Sequence, residues 1–219
     1  MSGSRTEITR LAGKGSTDRR ALDALLDTAV VGHFGLIDGS GGPRVIPTAI
    51  VRDGDVVLAH GSTGSPWMRM LAGGAATCLA VTAFDGLVVA RSAFESSIHY
   101  RSAVLFGRCT SIEGAAKSAA MDVITDALLP GRVAELRRPT EREVAATLVL
   151  GLPIEEWSLK VSAGWPDDPP EDVAGEAWAG VVARVVSYGT PLAAPDLRAG
   201  LPMPASVRQL AAVRAPGAP

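Results

Sequence analysis

Apolar residues follow a helical period near the start of the chain and a strand period after it. The i, i+3, i+4, i+7, i+8 spacing of an amphipathic helix is met by Leu22, Leu25, Leu26, Ala29 and Val30. Thr17 is placed to cap that helix. The next segment, VVGHFGLIDGSGGPRVIPTAIVRDGDVVLAHGS, holds three β-rich runs separated by the turn-rich sequences DGSGGP and RDGD. Such short connections predict antiparallel neighbours, because parallel strands need a long crossover.

The rest of the chain continues this pattern with more strands and two further helices. Helices are predicted from Pro66 to Leu71 and from Ala115 to Leu129, the second ended by Pro130 and Gly131. Strand-like runs fill ATCLAVTAFDGLVVARSAF and HYRSAVLFGRCTSIEG, and TLVLGLPIEEWSLKVSAG reads as one strand interrupted near Pro153. The chain is therefore predicted to be mainly β with flanking helices, as a small antiparallel barrel of six or seven strands.

The two ends differ in composition from the middle. Residues 1–16 are predicted to form a flexible arm, and residues 17–164 the barrel domain. Residues 165–219 are proline-rich and acidic at their start, which predicts an extended segment with one strand inside 179–190.

Composition and charge exclude several classes of protein. The chain has 47% hydrophobic residues and a net charge of −2, which argues for a folded domain and against a nucleic-acid partner. No apolar run approaches the roughly 20 residues that span a bilayer, and the polar N-terminus has no signal-peptide core, so we expect a cytoplasmic protein without membrane contact. Cys78 and Cys109 match no metal or redox spacing and are predicted to be small buried hydrophobes.

Two polar stretches carry candidate chemistry. HGSTGSPWMRML, residues 60–71, runs from a strand end through small hydroxyl residues into a helix; it suits either a bound phosphate or an ordinary helix-capping turn. In HYRSAVLFGR, residues 99–108, strand alternation places Tyr100 and Ser102 on one face and Arg101 on the other. The three histidines lack metal-site spacing, and no metal is predicted.

The order of these motifs resembles the pyridoxamine 5′-phosphate oxidase-like flavin-binding split barrels, in the flavin-nucleotide-binding branch that includes nitroimidazole-resistance reductases. The similar pieces are VVGHFGLID, RVIPTAIVRDGDVVLAHGS, SPWMRMLAGGAATCLAVTAFDGLVVARSAF, HYRSAVLFGR and LVLGLPIEEWSLKVSAG, within residues 17–190. The resemblance implies a split β-barrel homodimer with flavin mononucleotide (FMN) at the subunit interface. We further expect the C-terminal extension to wrap the dimer through Trp165 and Trp178, because exposed indole rings are costly to leave in water.

The resemblance also implies a set of cofactor-binding residues. Pro47, Thr48 and Ala49 would lie beside the isoalloxazine ring. The strand end and phosphate-binding turn would contribute His60, Gly61, Ser62, Ser65, Trp67 and Arg69. Tyr100, Ser102 and Lys160 would complete the site. The oxidases follow the serine of this turn with two basic residues, whereas here Pro66 and Trp67 follow Ser65.

Three functions remain open at this point. The first is an FMN-dependent oxidoreductase of small molecules, a nitro- or quinone-type reductase, in which His60 and Tyr100 are the only candidates for an acid or base. The second is a protein that carries flavin, deazaflavin or haem without catalysing much itself. The third is a dimer whose ancestral site has decayed. True pyridoxamine phosphate oxidation is not expected, because the acidic extension would repel a substrate phosphate.

Overall fold

A computed structural model describes residues 5–213, and antiparallel strands dominate it. The strands are β1 (Gly15–Ser16), β2 (Val31–Ile37), β3 (Pro43–Ala49), β4 (Val51–Asp53), β5 (Val56–Ser62), β6 (Ala76–Val89), β7 (Ser97–Arg108), β8 (Thr110–Ser111), β9 (Thr147–Pro153), β10 (Glu156–Ser162) and β11 (Gly180–Ala183). The α-helices are α1 (Arg19–Thr28), α2 (Pro66–Ala72), α3 (Gly114–Leu128), α4 (Glu141–Ala146), α5 (Pro170–Val173) and α6 (Ala205–Ala212).

The strands form two sheets that do not close into a complete barrel. The larger sheet has the order β1-β10-β7-β6-β2-β3, with β11 added against β6, and the smaller has the order β4-β5-β9-β8. Among the described residues the chain changes sheet four times: at Ile50 between β3 and β4, between β5 and β6, between β7 and β8, and between β9 and β10. The predicted fold, mainly β with flanking helices in an antiparallel split barrel, is confirmed, although short strands raise the number above the six or seven expected.

Leucine side chains from both sheets and from α1 and α2 meet in the main core. Leu22, Leu25 and Leu26 of α1 are buried there as the periodicity predicts. Ala29 and Val30 lie beyond the helix, which ends at Thr28. Its cap is Asp18 rather than Thr17, because the Asp18 carboxylate accepts a hydrogen bond from the Arg20 amide at 2.9 Å.

A second, smaller core lies between α3 and the four-stranded sheet. Ala120 and Ile124 of α3 pack there against Val51, Leu58 and Val149. The remaining predicted helix, α2, begins at Pro66 as expected and extends one residue further than predicted, to Ala72. None of the helices between residues 5 and 213 is long and apolar enough to cross a bilayer.

The prediction of one interrupted strand across residues 147–164 is wrong. β9 pairs with β5 in the small sheet, whereas β10 pairs with β7 in the large sheet. The break is a corner: Ile154 is buried, and its amide donates to the Asp55 carbonyl at 2.8 Å. Burial of that side chain turns the chain out of the first sheet, so the two strands cannot be continuous.

Both ends of the chain carry more structure than the sequence predicted. Within the expected arm, β1 pairs with β10, and the Arg5 guanidinium lies 4.9 Å from the centroid of the Phe106 ring. In the C-terminal extension, β11 falls inside the range predicted for a strand, and α5 and α6 were not predicted. Residues 1–4 of the predicted arm and residues 214–219 of the predicted extension lie outside the described residues.

Candidate cofactor-binding site

The turn between β5 and α2 brings the predicted phosphate-binding residues together. The Ser62 hydroxyl accepts a hydrogen bond from the Gly64 amide at 3.1 Å, and the Ser65 amide donates to the Ser62 carbonyl at 3.0 Å. Proline at the first helical position, where no amide hydrogen is needed, then starts α2. The turn is thus held by its own backbone.

Polar side chains on this turn are oriented outward. The Ser65 hydroxyl makes no capping bond to α2. Arg69, one helical turn further along, is exposed, and its Nη1 lies 3.3 Å from the Thr63 carbonyl oxygen, so the guanidinium folds back over the turn. His60 is also exposed, at the end of β5, and Gly61 follows it. Hydroxyl groups and a guanidinium on one exposed turn can bind an anionic group such as a phosphate.

Trp67 lies on the opposite side of α2 from Arg69. Its indole packs against Phe34, with ring centroids 6.0 Å apart, and joins the main core. It also lines a concavity of about 360 Å³ together with Leu36 and Met70. The Pro66–Trp67 sequence, which departs from the oxidase pattern, therefore packs a partly buried aromatic ring against the core, on the side of α2 away from Arg69.

The predicted ring-binding strand, β3, is at the edge of the large sheet. Thr48 faces inward, like Ile46 two residues earlier, which packs against the main core, whereas Pro47 and Ala49 face outward. Among residues 5–213, β3 pairs only with β2, so its other edge leaves main-chain N–H and C=O groups unpaired with a strand. Such an edge can offer hydrogen bonds to a flat polar ring.

The remaining predicted residues lie on the outer face of the large sheet, which we define as the face bearing Pro47, Ala49, Tyr100, Ser102 and Lys160. Ser102 is directly opposite Lys160 across β7 and β10. The next residue of β7, Ala103, is buried in the core on the opposite face.

Lys160 is already engaged within the chain. Its ammonium group donates to the Arg10 carbonyl at 3.0 Å. Arg101 faces away from Tyr100 and Ser102, as predicted, and forms two bonds of 2.9 Å with Asp85. The hydrogen bonds from Arg101 lower the pKa of the Asp85 carboxyl group below its usual value.

The twelve predicted residues do not meet at one point in a single chain. β7 lies three strand positions from β3 in the large sheet, and β10 lies four. At roughly 4.8 Å per strand, these separations are about 14 and 19 Å. The structure brings Ser62, Ser65 and Arg69 together, and separately Tyr100, Ser102 and Lys160.

Sequence reasoning missed a cavity of about 510 Å³ at the start of β7. We call it the His99 cavity; its walls include Arg10, Lys14, Phe94, His99 and Trp165. His99 lies within HYRSAVLFGR and Phe94 ends the preceding strand-like run, but Arg10, Lys14 and Trp165 come from segments predicted to be a flexible arm and an extended C-terminal segment. No local sequence signal joins these segments to His99, because they lie about 90 residues before it and about 65 residues after it along the chain.

A family model described as pyridoxamine 5′-phosphate oxidase matches residues 18–161, which is most of the barrel. The chain belongs to this family. The resemblance inferred from the sequence is thereby confirmed, and the matched range ends within the last residues of β10, which leaves both flanks of the chain outside it.

Solved structures of similar proteins extend beyond that range. A FAD and heme binding protein from Mycobacterium smegmatis is 53% identical, with a TM-score of 0.87, over 90% of this chain and 97% of its own. The flavocytochrome Anf3 from Azotobacter vinelandii is 35% identical, with a TM-score of 0.87, over 94% of this chain and 96% of its own.

A more distant structure shares the fold alone. A protein described as a 5-nitroimidazole antibiotic resistance protein from Bacteroides thetaiotaomicron is 20% identical, with a TM-score of 0.58, over 67% of this chain and 86% of its own. Comparison with curated protein sequences finds no match.

Proposed function

We propose that this family member is a redox protein that binds a flavin and a haem and passes electrons between them. One observation carries the proposal: the chain is 53% identical, over 90% of its length, to a FAD and heme binding protein. The match covers more of the chain than residues 18–161, which the family model matches, so it includes residues outside that range.

The residues present fit a flavin. The turn that carries Ser62, Ser65 and Arg69 supplies hydroxyl and guanidinium donors for a phosphate, and the unpaired edge of β3 supplies main-chain groups for the ring. A bound flavin supplies hydride and single-electron transfer, and the chain's own part is to bind and orient it. The resemblance implied FMN; we propose FAD, because the M. smegmatis protein binds FAD.

The flavin site in this proposal is shared between two copies of the chain. Tyr100, Ser102 and Lys160 lie about 14 to 19 Å from β3 across the large sheet, too far to contact a ring at the edge of β3 in the same chain. The outer face also exposes apolar side chains, with Ile37 60% and Val45 66% exposed. A second copy seated on this face would cover them and bring its Ser102 toward the first copy's flavin.

No side chain stands out as the acid or base of a reaction. His60 and Tyr100 remain predictions for that role, and reduction of a nitro compound or a quinone remains a prediction for the substrate. A haem next to a flavin would accept electrons from it one at a time. We therefore expect the substrates to be small electron acceptors rather than molecules that must lose a proton to a side chain.

The test is a spectrum of the freshly purified full chain, followed by identification of the released flavin. We expect flavin bands in the blue and near-ultraviolet together with a Soret band, and FAD by mass spectrometry. Arg69→Ala should lower flavin content, while Arg20→Ala, an exposed arginine on α1, serves as the matched control. A protein that takes up neither cofactor would overturn the proposal, and FMN in the released flavin would overturn its FAD part.

A further inference from the structure

Three separate segments of the chain form the walls of the His99 cavity. Residues from 10–14 contribute one wall, the loop before β7 contributes a second, and residues 163–167 form the third. The family model matches residues 18–161, so the first and third walls lie outside its range. The cavity therefore combines the barrel with both flanks of the chain.

The wall that follows β10 is fixed at both of its ends. The His99 Nε2 lies 2.8 Å from the Gly164 carbonyl oxygen, and the imidazole is the donor because a carbonyl can only accept. Four residues further on, the buried Asp168 carboxylate accepts hydrogen bonds from the Arg91 amide and from the Arg91 guanidinium. Residues 165–167 are therefore held in place against the barrel.

The loop before β7 is closed by its own side chains. The Ser92 hydroxyl accepts from the Glu95 amide at 3.2 Å. The Ser96 hydroxyl donates to the Ser92 carbonyl at 2.8 Å and accepts from the Ala90 amide at 3.2 Å. Phe94 lies inside this closed loop. A ligand would meet walls that are already ordered, which reduces the entropic cost of binding.

Each of these two walls presents an aromatic ring and a carboxylate. Phe94 is 90% exposed and is followed by Glu95, whereas Trp165 is 81% exposed and lies two residues before Asp167. Neither carboxylate forms an ion pair within the described residues. Aromatic faces and carboxylates both attract organic cations, and alkylated ammonium groups bind well to aromatic faces.

The remaining wall is cationic. The Lys14 ammonium group donates to the Ser162 hydroxyl at 3.0 Å, and the Arg10 carbonyl accepts from Lys160 at 3.0 Å. The Arg10 guanidinium has no ion-pair partner between residues 5 and 213. Two cations and two carboxylates thus line one cavity. A ligand with a single sign of charge would be attracted and repelled alike, whereas a zwitterion can satisfy both.

Leu11 adds an apolar surface to the cationic wall. It is 56% exposed, and its φ of 55° is one that residues with a side chain rarely adopt. The cavity volume of about 510 Å³ falls within the roughly 300–1,000 Å³ of typical small-molecule sites. A short alkyl chain between two charged groups fits such a surface.

We propose that the His99 cavity binds a small betaine, a zwitterion that joins an alkylated ammonium group to a carboxylate. The ammonium group contacts the rings of Phe94 and Trp165. The ligand carboxylate is bound by Arg10 and Lys14. His99 is a positioning residue that holds the third wall. The proposal is independent of the cofactor that the barrel carries.

The experiment is isothermal titration calorimetry of the full-length wild type with glycine betaine and with γ-butyrobetaine. Choline and acetate serve as probes with a single charge. We expect the better betaine to bind about tenfold more tightly than either of them. Phe94→Ala and Trp165→Ala should each weaken betaine binding several-fold. Trp178→Ala, which removes another exposed indole that does not line the cavity, is the matched control.

Charge variants test the two ends of the ligand separately. Arg10→Gln should weaken betaine binding and strengthen choline binding, because it removes a cation. Glu95→Gln should weaken the binding of both probes. Arg20→Gln, at an exposed arginine on α1, should change neither. All of these variants should keep the wild-type melting temperature, since the altered side chains form no hydrogen bond that supports the fold.

The absence of saturable binding by both betaines at millimolar concentration would overturn this inference, and so would equal affinity in Trp165→Ala. Light scattering on the same samples tests a different cover for the ring. A lower mass for Trp165→Ala with unchanged betaine affinity would show that a second copy covers Trp165, and would also overturn the inference. The flavin and haem spectra test the proposed function separately, so the two can fail independently.

Discussion

The two cysteines have different surroundings although both lie in strand-like sequence. Cys109, just after β7, is 3% exposed, and burial raises the pKa of its thiol to about 12. Cys78, on β6, is only half-buried, with Sγ 3.9 Å from the Gly35 carbonyl oxygen. The prediction of a buried small hydrophobe is confirmed for Cys109 and only partly met by Cys78.

We expect Cys109 to be inert in the native protein. At pH 8 a thiol with a pKa of about 12 is ionised in roughly one molecule in ten thousand, and the thiolate is the reactive form. A Cys78→Ser variant isolates this thiol for labelling with a chromogenic thiol reagent. Labelling should be absent in the native variant and complete in urea; fast native labelling would show that Cys109 is accessible.

A second residue-scale prediction concerns Glu143, which closes a capping box with Thr140 at the start of α4. Hydrogen bonds from Arg137 and from the Thr140 amide lower the pKa of the Glu143 carboxyl group from 4.5 to about 2. A carboxyl group whose folded pKa is depressed contributes stability above its unfolded pKa, and this contribution is lost as the pH falls toward the folded pKa.

In Glu143→Gln, the free energy of unfolding should therefore fall less steeply than in the wild type as the pH is lowered from 4.5 to about 2. The effect should be small, because the group is exposed and screened. Urea midpoints measured across that range would reveal it, with Glu141→Gln on the same helix as the control. Identical pH profiles for the wild type and Glu143→Gln would rule out this contribution.

Side-chain orientation along one strand was predictable, whereas long-range partners were not. Alternation correctly placed Arg101 on the opposite face from Ser102, since it depends only on the period of a strand. The bond between Lys160 and the Arg10 carbonyl was not predictable, because the two residues are 150 positions apart. The inward position of Trp67 likewise depends on Phe34.

Among the elements, the predicted helices and most strand runs formed where the local pattern was periodic. The late strand was misjudged because β9 and β10 share an apolar pattern that does not record a change of sheet at Ile154. α5 and α6 begin next to prolines in a segment whose composition favours an extended chain. Their docking depends on partners elsewhere, such as Glu135, whose carboxylate accepts from the Ser206 amide at 3.0 Å.

β11 depends on a close backbone approach at Gly86. A Cβ atom added there would lie 2.6 Å from the Val182 carbonyl oxygen, too close for any side chain. Gly86→Ala should therefore weaken the docking of β11 by about 1–3 kcal/mol, which raises local opening by roughly tenfold or more. Hydrogen exchange at Gly180–Ala183 would report it, and Gly13→Ala, where nothing lies within 4 Å, is the control. Unchanged exchange would contradict the packing argument.

The C-terminal extension is held to the barrel by Asp168. Its side chain is fully buried and accepts from the Arg91 amide at 2.8 Å and from the Arg91 guanidinium at 2.9 Å. Asp168→Ala should destabilise this attachment by about 1.5–3 kcal/mol, the range for charged hydrogen bonds. Thermal unfolding and the fluorescence of Trp165 measure the loss. Asp167→Ala, an exposed neighbour, should have little effect, and an equal effect of both would argue against a specific anchor.

At the scale of the molecule, the split barrel leaves the outer face of its large sheet open. We expect a homodimer that uses this face, because β2 and β3 expose Val31, Ile37 and Val45 there. Val45→Glu combined with Ile37→Lys should convert dimer to monomer in light scattering, with Leu136→Glu, on the connector between α3 and α4, as the control. A wild type that is monomeric would contradict the expectation.

The role expected for Trp165 and Trp178 in wrapping that dimer stays a prediction. Both are exposed in the single chain, at 81% and 67%. The turn between β5 and α2 could be predicted, since it lies within one continuous motif, whereas its binding role stays a prediction. The His99 cavity could not, because its walls become neighbours only when the sheet is complete.

The meeting of the two flanks at one cavity has a consequence for inheritance. Mutations in residues 10–14 and mutations in residues 163–167 would alter walls of the same cavity, although the two segments are far apart along the chain. Strains carrying either kind of mutation should therefore share a single phenotype.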